Sequence, residues 1–361
     1  MNKTIKLLEK LSNGHGPTGF EGQIRQIIRE EITNPEISID TDGLGSLICK
    51  IEKDKQSPKI MLSAHMDELG LMVRYITEEG FIKFQTLGGW LDQSIVNQRW
   101  IIMTKSGNIK GVTGIKTVHV MTETERKQIF PKDNLFIDVG AKNKQDAEER
   151  LGILPGDPIS PDSSFEFLNS DNLLLGKAWD DRVGVALLIE TLNSLDSKKL
   201  PNNVFGSCTV QEEVGLRGAI TSSYTIAPDI NINLEVGVAG DYPGMNPNLA
   251  QEKVGAGPSI FLHDSSMLPD KTLQNYIENI ATKNQIDLQY EILAGYGEDG
   301  SMYQKSREGI PSINLGIPTR YLHSHNSVID LNDYKIGVRL ANLILDDLSG
   351  EKINNIKNKL D

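Results

Sequence analysis

The chain has 361 residues, 38% of them hydrophobic and 24% charged. This length buries a substantial core and exceeds one compact domain, so a large domain with a smaller companion is expected. A net charge of −12 without any run of five or six like charges excludes DNA and anionic membrane surfaces as natural partners.

The first sixteen residues carry Lys3 and Lys6 but no apolar core segment, so they do not read as a secretory leader. The longest apolar runs are about seven residues, far short of a membrane span. Cys49 and Cys208 sit in separate apolar runs and read as reduced structural thiols. A cytoplasmic setting is expected. The isoleucines at 24, 27, 28 and 32 recur at helical spacing, and Lys59 to Ala64 reads as a buried strand. From residue 70 the pattern changes. Short strand-like segments at 71–76, 81–85, 100–103 and 135–139 are separated by turns such as Gly88-Gly89 and Ser106-Gly107-Asn108. This reads as a small β-barrel-like module, with residues 121–132 as a loop.

An α/β pattern resumes at Gly184. Val185, Leu188, Ile189, Leu192 and Leu195 mark a helix, and 204–210 and 230–234 read as strands. A helix around Leu273 to Ile280, a strand at 312–315 and a closing helix at 336–348 follow. The expected fold is α/β: a mostly parallel or mixed sheet sandwiched by helices, interrupted by the inserted module. The expected division is 1–69 plus 164–361 for the α/β domain and 70–163 for the insertion.

Candidate chemistry gathers where predicted strands end, the edge at which open α/β sheets bind ligands. His65, Asp67 and Glu68 follow the first strand; Glu212-Glu213 follows the second; Glu235 follows Leu234; His323 follows the strand at 312–315 through Pro318-Thr319-Arg320-Tyr321. Asp180-Asp181-Arg182 precedes the helix at Gly184. Histidines and carboxylates converging on one edge suit zinc, cobalt or manganese. His65 and Asp67 lie two apart, which in extended chain sets both on one face, so Asp67 can fix the imidazole tautomer. Glu212 and Glu213 fall on opposite faces, so one can bind metal while the other addresses water. Taken singly, each has a plainer reading: a hydrogen-bonded histidine, a helix cap at Asp180, a solvated strand end, an exposed His325. Their joint occurrence at five separate element ends favours a site.

The segments AHMDELG (64–70), GKAWDDRVG (176–184), QEEVGLRGA (211–219) and PTRYLHS (318–324) also resemble the glutamyl and deblocking aminopeptidases of the tetrahedral type, metallopeptidase family forty-two. The resemblance runs over nearly the whole chain, with the motifs in family order. It implies a zinc-exopeptidase type of fold and two divalent ions per subunit, zinc or cobalt, with manganese as a further candidate. His65, Asp180 and Glu235 would hold one ion; Asp180, Glu213 and His323 the other. Glu212 would be the general base and acid, and Asp67 would orient His65. Peptides would be the substrates, with a preference for Glu or Asp at the first position.

Asp299 matches the family's substrate region, where Glu298 replaces a usual Thr; Glu235 stands where Asp is common; Asn326 and Ser327 occupy a stretch that often holds Glu. The insertion would form dimers that close into a dodecameric shell, its loop carrying His119 toward a neighbour's site. Two rival readings remain at this point. One is a glycoside hydrolase, endoglucanase-like, acting through Glu212 and Glu235. The other is a catalytically silent scaffold of the same fold.

Overall fold

The computed structural model describes residues 2–246 and 248–359. Two helices open the chain, α1 (Lys3–Asn13) and α2 (Gly22–Glu31). The first went unread in the sequence, although Leu7, Leu8 and Leu11 form its buried stripe and the Asn2 side chain caps it by accepting from Thr4 N. Strands β1 (Ser38–Thr41), β2 (Leu47–Ile51) and β3 (Lys59–His65) follow.

The chain then enters a closed six-stranded barrel. Its strands are β4 (Gly70–Ile76), β5 (Ile82–Leu87), β6 (Arg99–Thr104), β7 (Gly107–Gly114), β8 (Phe136–Asp138) and β9 (Pro158–Pro161), in the order β4-β5-β8-β7-β6-β9. Closure leaves no unpaired edge. The barrel has its own core, including Leu71, Val73, Trp100, Ile102 and Ile137, separate from that of the rest of the chain. Three short helices decorate it: α3 (Asp92–Ile95), α4 (Glu123–Arg126) and α5 (Lys144–Glu149). The stretch 121–132, expected as a loop, therefore contains a helical turn. A capping box stabilises it, with Thr122 and Glu125 bonding each other's backbone N–H.

After the barrel come β10 (Glu166–Phe167), β11 (Leu173–Gly176), α6 (Trp179–Ser194), β12 (Asn203–Thr209), α7 (Arg217–Ile226) and β13 (Ile230–Val238). The last part holds β14 (Ser259–His263), α8 (Lys271–Lys283), β15 (Gln289–Ile292), α9 (Gly300–Gln304), β16 (Ser312–Thr319), β17 (Ser327–Asp330), α10 (Leu331–Asp347) and α11 (Gly350–Lys357). An eight-stranded mixed sheet runs β1-β2-β12-β3-β13-β16-β14-β15. Its centre, β12-β3-β13-β16, is parallel, and antiparallel strands flank it on both sides. The central strands are continuous apolar runs because helices cover both faces. α6 is buried almost all round, which explains apolar residues on every side from Val183 to Leu192.

The parallel registers align the strand ends that matter. His65 at the end of β3 pairs with Thr209 at the end of β12. Two residues beyond the last β3–β13 pair, Ser63 and Asn233, His65 and Glu235 stand level. The sequence reading ended β13 at Leu234, whereas the strand continues through Glu235 to Val238.

Away from this edge, Glu252 and Glu291 are both fully buried, and Glu291 accepts from Val238 N at 2.7 Å. Burial pushes Glu252 up to about 7; burial and the adjacent Glu252 push Glu291 up to about 9. A carboxyl raised in this way binds its proton more tightly folded than unfolded. Its contribution to stability is complete below the unfolded value near 4.3 and is lost as pH rises through the folded one. Stability is therefore expected to fall between about pH 4.5 and 8. Glu252→Gln, an amide mimic of the protonated acid, should flatten that fall and raise stability at pH 8 by about 2 kcal/mol, read from urea unfolding at several pH values.

Candidate metal centre

The local backbone sets each side chain. His65 closes β3, and its backbone N–H donates to Asp181 Oδ2 at 3.1 Å. Asp181 Oδ1 accepts from Gly184 N at 3.0 Å, so this carboxylate ties the helix start to the strand end. Asp180 and Asp181 have non-helical backbone angles, and the regular part of α6 begins after them. Ala178, Gln211 and His323 all take left-handed backbone angles, at φ 55°, 57° and 56°. Such angles cost energy in residues with a Cβ, and here they flank or carry the candidate groups.

Two clusters form. The ligand-type atoms of His65, Asp180 and Glu235 lie within 4.8 Å of one another, as do those of Asp180, Glu213 and His323. Asp180 belongs to both: Oδ1 is 2.9 Å from His65 Nε2, and Oδ2 is 3.4 Å from His323 Nε2. Glu235 Oε1 is 3.8 Å from His65 Nε2. Glu212 stands outside both clusters, its Oε2 4.0 Å from the same nitrogen.

The far nitrogens of the two histidines face acceptors. His65 Nδ1 points to Asp67 Oδ1 at 3.5 Å, the outer limit of a hydrogen bond. His323 Nδ1 donates to Gly89 O at 2.7 Å. Both arrangements leave Nε2 as the free lone pair, directed at Asp180. Asp67 has a second task, its oxygens accepting from Glu212 N at 3.0 Å and Glu213 N at 3.2 Å. The sequence reading gave the barrel no part in this chemistry, yet its Gly88-Gly89 turn touches the site. Gly88 has φ +86°, and a Cβ there would meet Leu69 and Glu213. One at Gly89 would press on the His323 ring.

The charges do not balance within the protein. Burial, reinforced by Asp181 and Asp180, pushes Glu235 well above the carboxylate range. Burial and Asp180 push Glu213 up to about 8. Burial works against the charged form of His65, but Glu235, Glu212 and Asp180 outweigh it and raise its pKa. Buried Glu213 Oε1, Glu235 Oε2 and His65 Nδ1 lack hydrogen-bond partners. Orphaned buried acceptors among crowded carboxylates fit divalent cations, which this mixed nitrogen and oxygen set suits.

Other sequence expectations need correction. Asp299 does not line the cavity; it is fully buried behind it and accepts from Thr209 Oγ1 at 2.6 Å. Its neighbour Glu298 lines the cavity instead. His119 is exposed on the barrel loop, its Nδ1 3.3 Å from Thr117 Oγ1, and lines neither cavity beside His323. His325, read as an exposed neighbour of His323, is buried against Trp100 with ring centroids 4.4 Å apart. Glu68 went without a role. It pairs with Lys177 at 2.6 Å and Arg182 at 3.5 Å, all three buried, fastening the segments on either side of the barrel to each other. The two motifs AHMDELG and GKAWDDRVG carry these partners, which is the signal that was available.

Residues 45–340 match the model of the M42 glutamyl aminopeptidases. The chain belongs to this family. It is 30% identical over 354 residues to the glutamyl aminopeptidase of Lactococcus lactis, covering 97% of this chain and 98% of that one. The TET aminopeptidase of a marine-sediment Thaumarchaeota archaeon superposes with a TM-score of 0.94 at 37% identity, over 98% and 99% of the two chains. The TET1 peptidase of Pyrococcus horikoshii, which assembles into a tetrahedron or a large octahedral shell, superposes at 0.87 with 31% identity, over 96% and 100%. The chain is thus an aminopeptidase, a peptide hydrolase with the zinc-exopeptidase type of fold, and its family implies divalent metal ions. This sets aside the glycoside hydrolase and the silent scaffold. No described helix is long and apolar enough to cross a membrane.

Proposed function

We propose that the protein removes N-terminal residues from peptides with two divalent cations per subunit, one held by His65, Asp180 and Glu235 and the other by Asp180, Glu213 and His323. The observation that carries this reading is the shared Asp180, whose two oxygens face the two histidines separately. When bound, divalent cations polarise the scissile carbonyl and acidify the attacking water. Glu212 takes the water proton and passes it to the leaving amine; Asp67 holds the Glu212 and Glu213 backbone and orients His65. Zinc or cobalt is the expected occupant, manganese a further candidate. Both cysteines are free, which supports a cytoplasmic setting.

Elemental analysis of purified protein should give two divalent ions per chain. Chelation should abolish hydrolysis of aminoacyl p-nitroanilides, and zinc or cobalt should restore it. Full activity in metal-free protein would end the two-cation reading.

For assembly, we take the barrel (residues 70–163 of the insertion) as a dimerisation domain and the dodecamer as the working form. Exposed apolar residues on it, Leu91, Val118, Val120 and Ile129, support an interface. His119, on the same loop, would then reach toward a neighbour's site. Light scattering should report about twelve chains per particle for the metal-loaded protein. A fully active monomer at micromolar concentration would refute the assembly.

The resemblance implies Glu or Asp as the preferred first residue. Apart from His323, no cationic side chain lines the cavities beside the site, so the structure lends that preference no support.

A further inference from the structure

A cavity of about 540 Å³ opens directly beside the two clusters, with Asp180 and His323 on its wall. Its remaining wall is largely apolar: Val236 and Val238 from the end of β13, Leu293 and Tyr296 from the turn after β15, Leu249, and Leu322 next to His323. The charged groups on it are Asp180, Glu298 and His323. Arg320, three residues before His323, is not available to the cavity, because Asp241 engages it in two bonds of 2.7 and 2.5 Å.

We infer that this cavity seats the side chain of the peptide's first residue and selects bulky apolar ones, leucine and methionine above all. The inference rests on the reading of the two clusters as the hydrolytic centre. A free N-terminus held there brings its own side chain to the nearest opening, and this is the opening that shares Asp180 and His323 with the centre. An aliphatic side chain gains by leaving water for this wall. A glutamyl carboxylate finds no cation outside the centre, meets Asp180 and Glu298, and loses its hydration without compensation. A lysyl ammonium is desolvated against the same aliphatic residues.

Specificity constants for leucyl, methionyl, glutamyl, aspartyl and lysyl p-nitroanilides on metal-loaded protein test the inference. Leucyl and methionyl substrates should exceed the charged ones in kcat/KM by roughly tenfold or more. A glutamyl or lysyl substrate turned over faster than leucyl would overturn it while leaving the two-cation reading intact. A binding arm makes the result independent of turnover. Titration calorimetry of Glu212→Gln protein with Leu-Ala and Glu-Ala should show the leucyl peptide bound at least as many fold more tightly; equal or reversed affinity overturns the inference. Leu293→Arg supplies the missing cation and should raise the glutamyl-to-leucyl ratio by roughly tenfold. Leu249→Arg, at a position 62% exposed, repeats the test where folding is not at stake. An unchanged ratio in both variants would place the first side chain elsewhere.

Discussion

Glu212→Gln is expected to keep two divalent ions per chain and to lose about 10²–10⁴-fold in kcat. Glu212 is the one carboxylate at the centre that belongs to neither cluster, so replacing it removes no proposed ligand. It is close enough to serve, with Oε2 4.0 Å from His65 Nε2 and its side chain on the cavity wall beside Glu213 and Asp180. Burial, together with Glu298, Asp299 and Glu213, pushes its pKa well above the ordinary range, toward the neutral region in which an acid–base group works best. The amide is nearly isosteric, and its backbone N–H would still reach Asp67. Elemental analysis and steady-state kinetics on the same preparation decide the matter. Loss of one ion together with activity would make Glu212 a ligand; loss of neither would free it from proton transfer.

The site was legible in the sequence to the extent that its residues follow apolar strands. His65, Glu212-Glu213 and His323 each come after a run buried on both faces, and such runs stand out without any knowledge of their neighbours. Glu235 shows the limit. A charged residue after Ile230 to Leu234 reads as a strand end, but β13 carries it inward because other site groups surround it. The flanking strands β1, β2, β14 and β15 escaped notice: they are four or five residues long, and their pairing is fixed by partners remote in sequence.

Asp299 and Glu298 were assigned one residue out of step. Adjacent residues at the start of α9 differ in direction, and only tertiary packing shows that Thr209 holds the first while the second lines the cavity. The Gly89 carbonyl that orients His323 was invisible for a simpler reason. A backbone acceptor has no residue type to betray it, and this one is supplied 234 positions away.

Asp180→Ala is expected to remove both ions at once, whereas His323→Ala should remove one. The difference follows from geometry. His323 faces Asp180 Oδ2 only, while Asp180 also presents Oδ1 to His65 at 2.9 Å. Hydrolysis by Asp180→Ala should therefore fall by more than the roughly 10- to 100-fold that loss of a supporting group costs. Stability gives a second, independent readout of opposite sign. In the metal-free protein Asp180 adds to the burial that already disfavours charge on Glu213, and it adds likewise at Glu235. Removing it relieves that repulsion, so metal-free Asp180→Ala should unfold no earlier on heating than the metal-free wild type. With zinc added, the wild type should gain stability by mass action and the variant should not. A variant that still holds two ions, or that zinc stabilises as strongly as the wild type, would show that Asp180 does not join the two clusters.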